Sequence, residues 1–209
     1  NSATTSSDEK TITTITPDVT VTNKIAVAAI SDSDITSLIA SAEAGTEKIA
    51  VEINSVTGKD VKAANITMPA TSFSVMAASS MVDSLKITTD TGTITFGSEA
   101  LTGIAAQLSD ETVSFSIGVV DTDSMTEEQK ALSDGYAVYS LSVTAGDSAI
   151  SKFSGEVTVT LPYELSDGED ADNIIIYYLS PEGTVEKYYT SFDSATGSVT
   201  FKTGHFSEY

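Results

Sequence analysis

Threonine alternates with aliphatic residues from Ile12 through Val19 and Val21, a two-residue period that predicts a half-buried strand. The same period returns at Ile49, Val51 and Ile53, at Leu85 and Ile87, at Ile94 and Phe96, and at Val113, Phe115, Ile117 and Val119. One face of each run is apolar and the other is Ser, Thr or charged, which describes strands packed on one side and wet on the other.

Between these runs the period lengthens. Ile35, Leu38, Ile39 and Ala42 follow the polar cluster Ser31-Asp32-Ser33-Asp34 and stop at Gly45, the stripe of a short amphipathic helix. Phe73, Met76, Ala77 and Met81 predict a second helix, and Leu101, Ile104, Ala105 and Leu108 behind Ser98 a third. In Thr126-Glu127-Glu128-Gln129 the Thr-to-Gln spacing fits a capping box, so a fourth helix starts there.

After Tyr136 the helical signals stop and strands are expected at Tyr139–Val143, Val157–Leu161, Ile174–Leu179, Val185–Tyr189 and Val199–Phe201. Pro181-Glu182-Gly183 and Asp193 to Gly197 supply turns between them. Ile174–Leu179 is apolar at consecutive positions, which predicts a central strand covered on both faces. The pairs Tyr177-Tyr178 and Tyr188-Tyr189 each send one ring inward and one outward, with Tyr178 and Tyr188 close across the hairpin.

The pattern therefore predicts a mainly β protein: an antiparallel β-sandwich, as one elongated unit or two packed subdomains, with three or four short helices. Residues 1–11 read as a flexible N-terminal linker, 12–146 as a β-rich subdomain carrying the helices, and 147–209 as an all-β subdomain.

Composition narrows what such a fold can do. Thirty acidic residues against ten basic ones, all lysine, give a formal charge of −20, so neither nucleic acid nor an anionic membrane is an expected partner. Nor is membrane insertion expected, because no apolar run approaches a bilayer's thickness. The absence of cysteine excludes disulfides, thiolate nucleophiles and cysteine-ligated zinc, and a single histidine excludes multi-histidine metal sites.

That histidine, His205, opens the tripeptide His205-Phe206-Ser207. Residues two apart on a strand share a face, so a bent strand would let the imidazole take the Ser207 proton. The hydroxyl would then attack the Phe206 carbonyl, an N-to-O acyl shift that ends in cleavage between Phe206 and Ser207. The tripeptide resembles the cleavage site of autoproteolytic domains in a nucleoporin and in certain death-domain proteins, and is similar to the His-Leu-Ser/Thr site of GAIN domains. That resemblance implies His205 as base and Ser207 as nucleophile.

A longer resemblance covers the C-terminal half. Val157-Thr158-Val159-Thr160-Leu161-Pro162-Tyr163 is part of it, with Gly168-Glu169-Asp170, Tyr177-Tyr178, Gly183, Thr196-Gly197 and the closing His-Phe-Ser. Upstream, the runs from Ala100 (ALTGIAAQ) and Met125 (MTEEQKAL) belong to the same pattern. Together they resemble a module of Gram-positive surface proteins that often precedes S-layer homology repeats. The resemblance implies a noncatalytic extracellular structural or interaction module at the bacterial cell surface. Its partners would be other domains of the same surface protein or cell-wall components.

Two further chemistries are open. Asp167, Glu169, Asp170 and Asp172 set hard oxygen ligands around Gly168, a candidate calcium loop; no other cofactor is expected. Exposed tyrosines in a chain without tryptophan offer a platform for a glycan-binding module.

Overall fold

The computed structural model describes residues 11–44, 48–109, 112–133, 136–166, 168–179, 185–207 and 209. The Pro181-Glu182-Gly183 turn, Asp167 and all of the predicted linker except Thr11 lie outside these residues.

The chain begins with strands β1 (Thr11–Ile15), β2 (Val19–Thr22) and β3 (Ile25–Ala29), helix α1 (Asp32–Ala44), and strands β4 (Ile49–Asn54) and β5 (Ala63–Pro69). Helix α2 (Ala70–Ala78), strands β6 (Val82–Thr89) and β7 (Gly92–Gly97), helix α3 (Ser98–Ala105) and strand β8 (Thr112–Val119) follow. After α4 (Glu127–Ser133) come β9 (Tyr139–Ala145), β10 (Ser148–Ala149), β11 (Lys152–Pro162), β12 (Ile175–Leu179), β13 (Val185–Tyr189), β14 (Ser191–Asp193) and β15 (Ser198–His205). Among these residues no helix is long and apolar enough to cross a membrane.

Two mixed sheets face each other. The first has the order β1-β4-β6-β7-β11-β15-β14 and the second β10-β9-β8-β5-β3-β2; β12 and β13 form a separate ribbon. The mainly β sandwich and its four helices agree with the sequence pattern. The main cluster of the interior lies between the sheets, where Phe96 of the first meets Phe115 of the second at 5.3 Å between ring centroids; Met125, Val138 and Leu179 form a small second cluster. Strands on both sides of the expected 146/147 boundary share the main cluster: β11 pairs with β7, and Val143, Val157 and Phe206 are all buried in it.

Most pairings are antiparallel, but β1 with β4, β4 with β6, and β3 with β5 are parallel. The helices explain this. Helices α1 and α2 each carry the chain from the end of a strand in the second sheet (β3, β5) to the start of one in the first (β4, β6) at the same end of the sandwich, so β3 and β5 run alike and so do β4 and β6; α3 crosses back from β7 to β8, which runs against β5. The opposite sheet, rather than a helical layer, covers the inner face of the parallel strands. Of the predicted stripes, Ile35, Leu38, Ile39 and Ala42 on α1, Phe73 and Met76 on α2, and Leu101 and Ile104 on α3 are buried; Ala77 and Ala105 are half-buried, and Met81 and Leu108 lie past the ends of α2 and α3.

Local chemistry sets the helix starts. The Ser31 hydroxyl accepts the Asp34 amide at 3.3 Å while the Asp34 carboxylate accepts the Ser31 amide at 3.0 Å. At α4 the expected capping box forms: the Gln129 amide donates to Thr126 Oγ1 at 3.1 Å and the Thr126 amide to Gln129 Oε1 at 3.0 Å.

Far from the helical end, the sheets approach closely at Gly92. Its φ is 148°, and a Cβ there would lie 2.7 Å from Ile117 Cδ1 and 2.8 Å from the Thr160 carbonyl. Beside it, Asp90 accepts the Thr57 amide, the Thr57 hydroxyl and the Gly58 amide, each at 2.8 Å, and so pins the β4–β5 loop to the β6–β7 turn.

Both open sides of the sandwich are closed by chain that changes sheet, a known way of turning sandwich corners. On one side β1, at the edge of the first sheet, continues through Pro17 into β2, at the edge of the second. On the other, the chain leaves β15 of the first sheet and Ser207 and Tyr209 pair with β9 of the second.

One strand differs from its expected setting. Ile174–Leu179 is not central: β12 pairs only with β13, and Ile175 and Tyr177 on its outer face are exposed. The consecutive apolar residues are shared between two unlike surfaces, Ile176 and Tyr178 packing inward and Ile175 and Tyr177 facing an open cleft.

Candidate functional site

His205 ends β15 and sits where the β12–β13 ribbon docks on the first sheet. Its Nε2 is 2.9 Å from the Tyr188 hydroxyl, and its ring meets the Tyr178 ring edge-on at 4.8 Å. Tyr178 and Tyr188 converge as expected, and each tyrosine pair divides between an inner and an outer ring. The outer face of the imidazole looks toward Glu186, whose carboxylate is 4.0 Å from Nε2.

Ser207 is placed differently. Its carbonyl accepts the Leu141 amide at 2.9 Å, and no hydrogen bond joins its hydroxyl to His205 among the described residues. Phe206, between them, is buried against Phe153 and Phe96 at 4.9 and 5.9 Å, and its amide donates to the Ser151 carbonyl. The tripeptide is thus drawn apart: His205 belongs to a tyrosine cluster, Phe206 to the core, and Ser207 to the edge of β9.

Tyr209 closes this arrangement. Its hydroxyl donates to the His205 carbonyl at 2.6 Å and lies 2.9 Å from Thr203 Oγ1, and its ring packs on Phe201 at 5.1 Å. Burial pushes its phenol well above the ordinary range. The segment after Phe206 is fixed by main-chain bonds of Ser207 and Tyr209 to β9 and by the buried Tyr209 side chain.

The acidic loop has its own order. Glu169 accepts the Tyr163 hydroxyl at 2.9 Å on both oxygens and the Ser166 amide at 2.8 Å, with the Tyr136 hydroxyl at 3.4 Å. The Ser166 amide, followed by Tyr163, holds the Glu169 carboxyl below its usual range. Burial, reinforced by the bond to Glu169, pushes the Tyr163 phenol up to about 12. Asp170 accepts the Asp172 amide at 3.0 Å and Asn173 Nδ2 at 2.6 Å. Of the four expected calcium ligands Asp167 lies outside the described residues, and no three His, Asp or Glu residues among those described converge on a point that could hold a metal ion.

No protein family, curated protein or solved structure matches this chain.

A cleft of about 540 Å³, not foreseen from the sequence, opens beside this loop. Leu161, Val199, Ile176, Val138 and Leu179 give it an apolar lining, and Tyr136 and Tyr163 are joined there to Glu169 by hydrogen bonds. Its lining comes from parts of the chain as far apart as Leu132, Leu161, Glu169, Ile176, Val199 and Tyr209, so no local sequence signal could have announced it.

Proposed function

We propose that this domain is a noncatalytic structural module of a bacterial cell-surface protein, transmitting force along an extracellular chain. The carrying observation is the direction of its terminal strands. β1 starts at the helical end of the sandwich, level with the start of β4, and Tyr209 leaves at the far end, level with the start of β9. Tension between those two points loads β1 against β4, and the final segment against β9, along the strand axes. The ladder bonds at each junction then share the load instead of opening one at a time.

The engagement of His205 with Tyr188, and of Ser207 with β9, supports the noncatalytic reading over self-cleavage. The resemblance of the C-terminal half to surface modules supports the location.

Single-molecule pulling tests the proposal. The chain contains no cysteine, so engineered cysteines are unique handles. Handles at Thr11 and Tyr209 are expected to require a higher unfolding force than handles at Thr11 and Gly146, which lie at the same end and open β1 like a zipper. Equal or lower force end to end would remove the mechanical role. Surface location is tested by brief proteolysis of intact cells, which is expected to release peptides from this stretch; recovery only from lysed cells would refute it.

A further inference from the structure

We infer that the cleft at the far end of the sandwich is a binding site for a small quaternary ammonium ligand with an apolar body. Its size and mainly apolar walls are those of a small-molecule site. Among the described residues its charged lining groups are two carboxylates, Glu169 and Asp170, and no cationic side chain lines it. With a chain charge of −20, an anion is repelled before it arrives.

The choice between a cation and a sugar turns on how the carboxylates are already used. Glu169 holds the Tyr163 hydroxyl on both oxygens and the Ser166 amide, and Asp170 holds the Asp172 amide and Asn173 Nδ2. At Glu169, whose two oxygens already take these donors, a sugar hydroxyl or a primary amine would compete with them for the remaining lone pairs. A quaternary ammonium has no N–H to satisfy. It draws on the charge of Glu169 and on the rings of Tyr136 and Tyr163, whose hydroxyls are tied to that same carboxylate.

The cleft holds an internal precedent. Lys187 Nζ lies 5.6 Å from the centre of the Tyr177 ring, so one ammonium of the protein already rests on a tyrosine of this cleft. That lysine repels a second cation at Tyr177, which favours Tyr136 and Tyr163 beside Glu169 for the ligand's charge.

Titration of the intact domain with benzyltrimethylammonium, benzylammonium and benzyl alcohol, followed by NMR, tests the inference. The quaternary ion is expected to bind about 3- to 30-fold tighter than the alcohol, the range a cation–ring contact supplies between exposed and desolvated settings. It should also bind tighter than the primary amine and more weakly as salt rises. Tyr136→Ala, at a ring that is 59% exposed and so outside the core, is expected to abolish that preference with the fold intact. Glu169→Gln, which keeps the side chain's size, is expected to reduce it and to remove its salt dependence. Equal binding of alcohol and quaternary ion, tighter binding of the primary amine, an unaltered Tyr136→Ala profile, or no saturable binding up to the solubility of the probe would each overturn it.

Discussion

Tyr139 and Tyr209 exchange a reciprocal pair of main-chain hydrogen bonds, 2.6 Å from the Tyr139 amide to the Tyr209 carbonyl and 2.8 Å in return. This is the narrow pair of an antiparallel ladder, and it joins the last residue of the chain to the second sheet just after β15 has completed its run in the first.

Tyr209 is therefore expected to be a stability residue in two separable ways. Tyr209→Ala removes a buried ring from Phe201, Tyr178 and Tyr188 and should cost about 3–5 kcal/mol, by analogy with other large aromatic truncations. Tyr209→Phe removes only the hydroxyl and should cost about 1 kcal/mol. Hydrogen exchange distinguishes them, since the Tyr139 and Leu141 amides should lose protection in the alanine variant alone.

Self-cleavage at Phe206–Ser207 has a measurement specific to this geometry. A cut tail would stay bound through β9 and the Tyr209 side chain, so gel filtration would miss it. Denaturing intact-mass analysis is the proper readout. The expected result is a single uncut mass, unchanged by Ser207→Ala. Appearance of a cut species that Ser207→Ala abolishes would establish the autoproteolytic alternative.

The β2–β3 turn contains a correctable strain. Asn23 and Lys24 have φ of 51° and 64°, the left-handed pair of a tight hairpin, in which glycine is favoured at the second position. Lys24→Gly is expected to raise stability by up to about 1 kcal/mol, because relief of the left-handed penalty exceeds the entropy that glycine adds to the unfolded chain. The exposed pairing of Lys24 with Asp60 is a minor loss. Urea denaturation at neutral pH measures the difference.

Asp90 should make stability depend on pH. Burial pushes its carboxyl up, but the Thr57 amide and hydroxyl and the Gly58 amide together outweigh that and hold it below the ordinary value of 3.8. A depressed folded-state value means the contribution is fully present above 3.8 and is lost as pH falls through the lower folded value. Asp90→Asn should be less stable than the parent at neutral pH. The gap between their denaturation curves should close on acidification below 3.8. A gap independent of pH would show that the carboxylate's charge plays no part.

Much of this fold is legible in the chain. The three helical stripes, the Thr126–Gln129 box and the strands with bulky alternating residues appear close to where the pattern puts them. Strands β3 and β5 do not announce themselves, because their buried positions include Ala26, Ala28 and Ala64, small residues with little strand preference. Those strands carry one of the parallel pairings, and short helices argue against parallel strands only when helices must cover them. Here a second sheet does. At the candidate site, the sequence marks His205 and the inward Tyr178 and Tyr188. It cannot show that Phe206 turns into the core and separates histidine from serine, since that depends on a crossing between sheets.

The closure of the second side sets an order on folding. Residues 139–141 of β9 cannot complete their edge until Ser207 and Tyr209 exist to pair with them. A chain emerging from its N-terminus can form helices and local hairpins early, but this sequence-distant joint must wait for the final residues. During synthesis, the segment before that point lacks the stitch between sheets, and the finished sandwich is reached only when position 209 is free to dock.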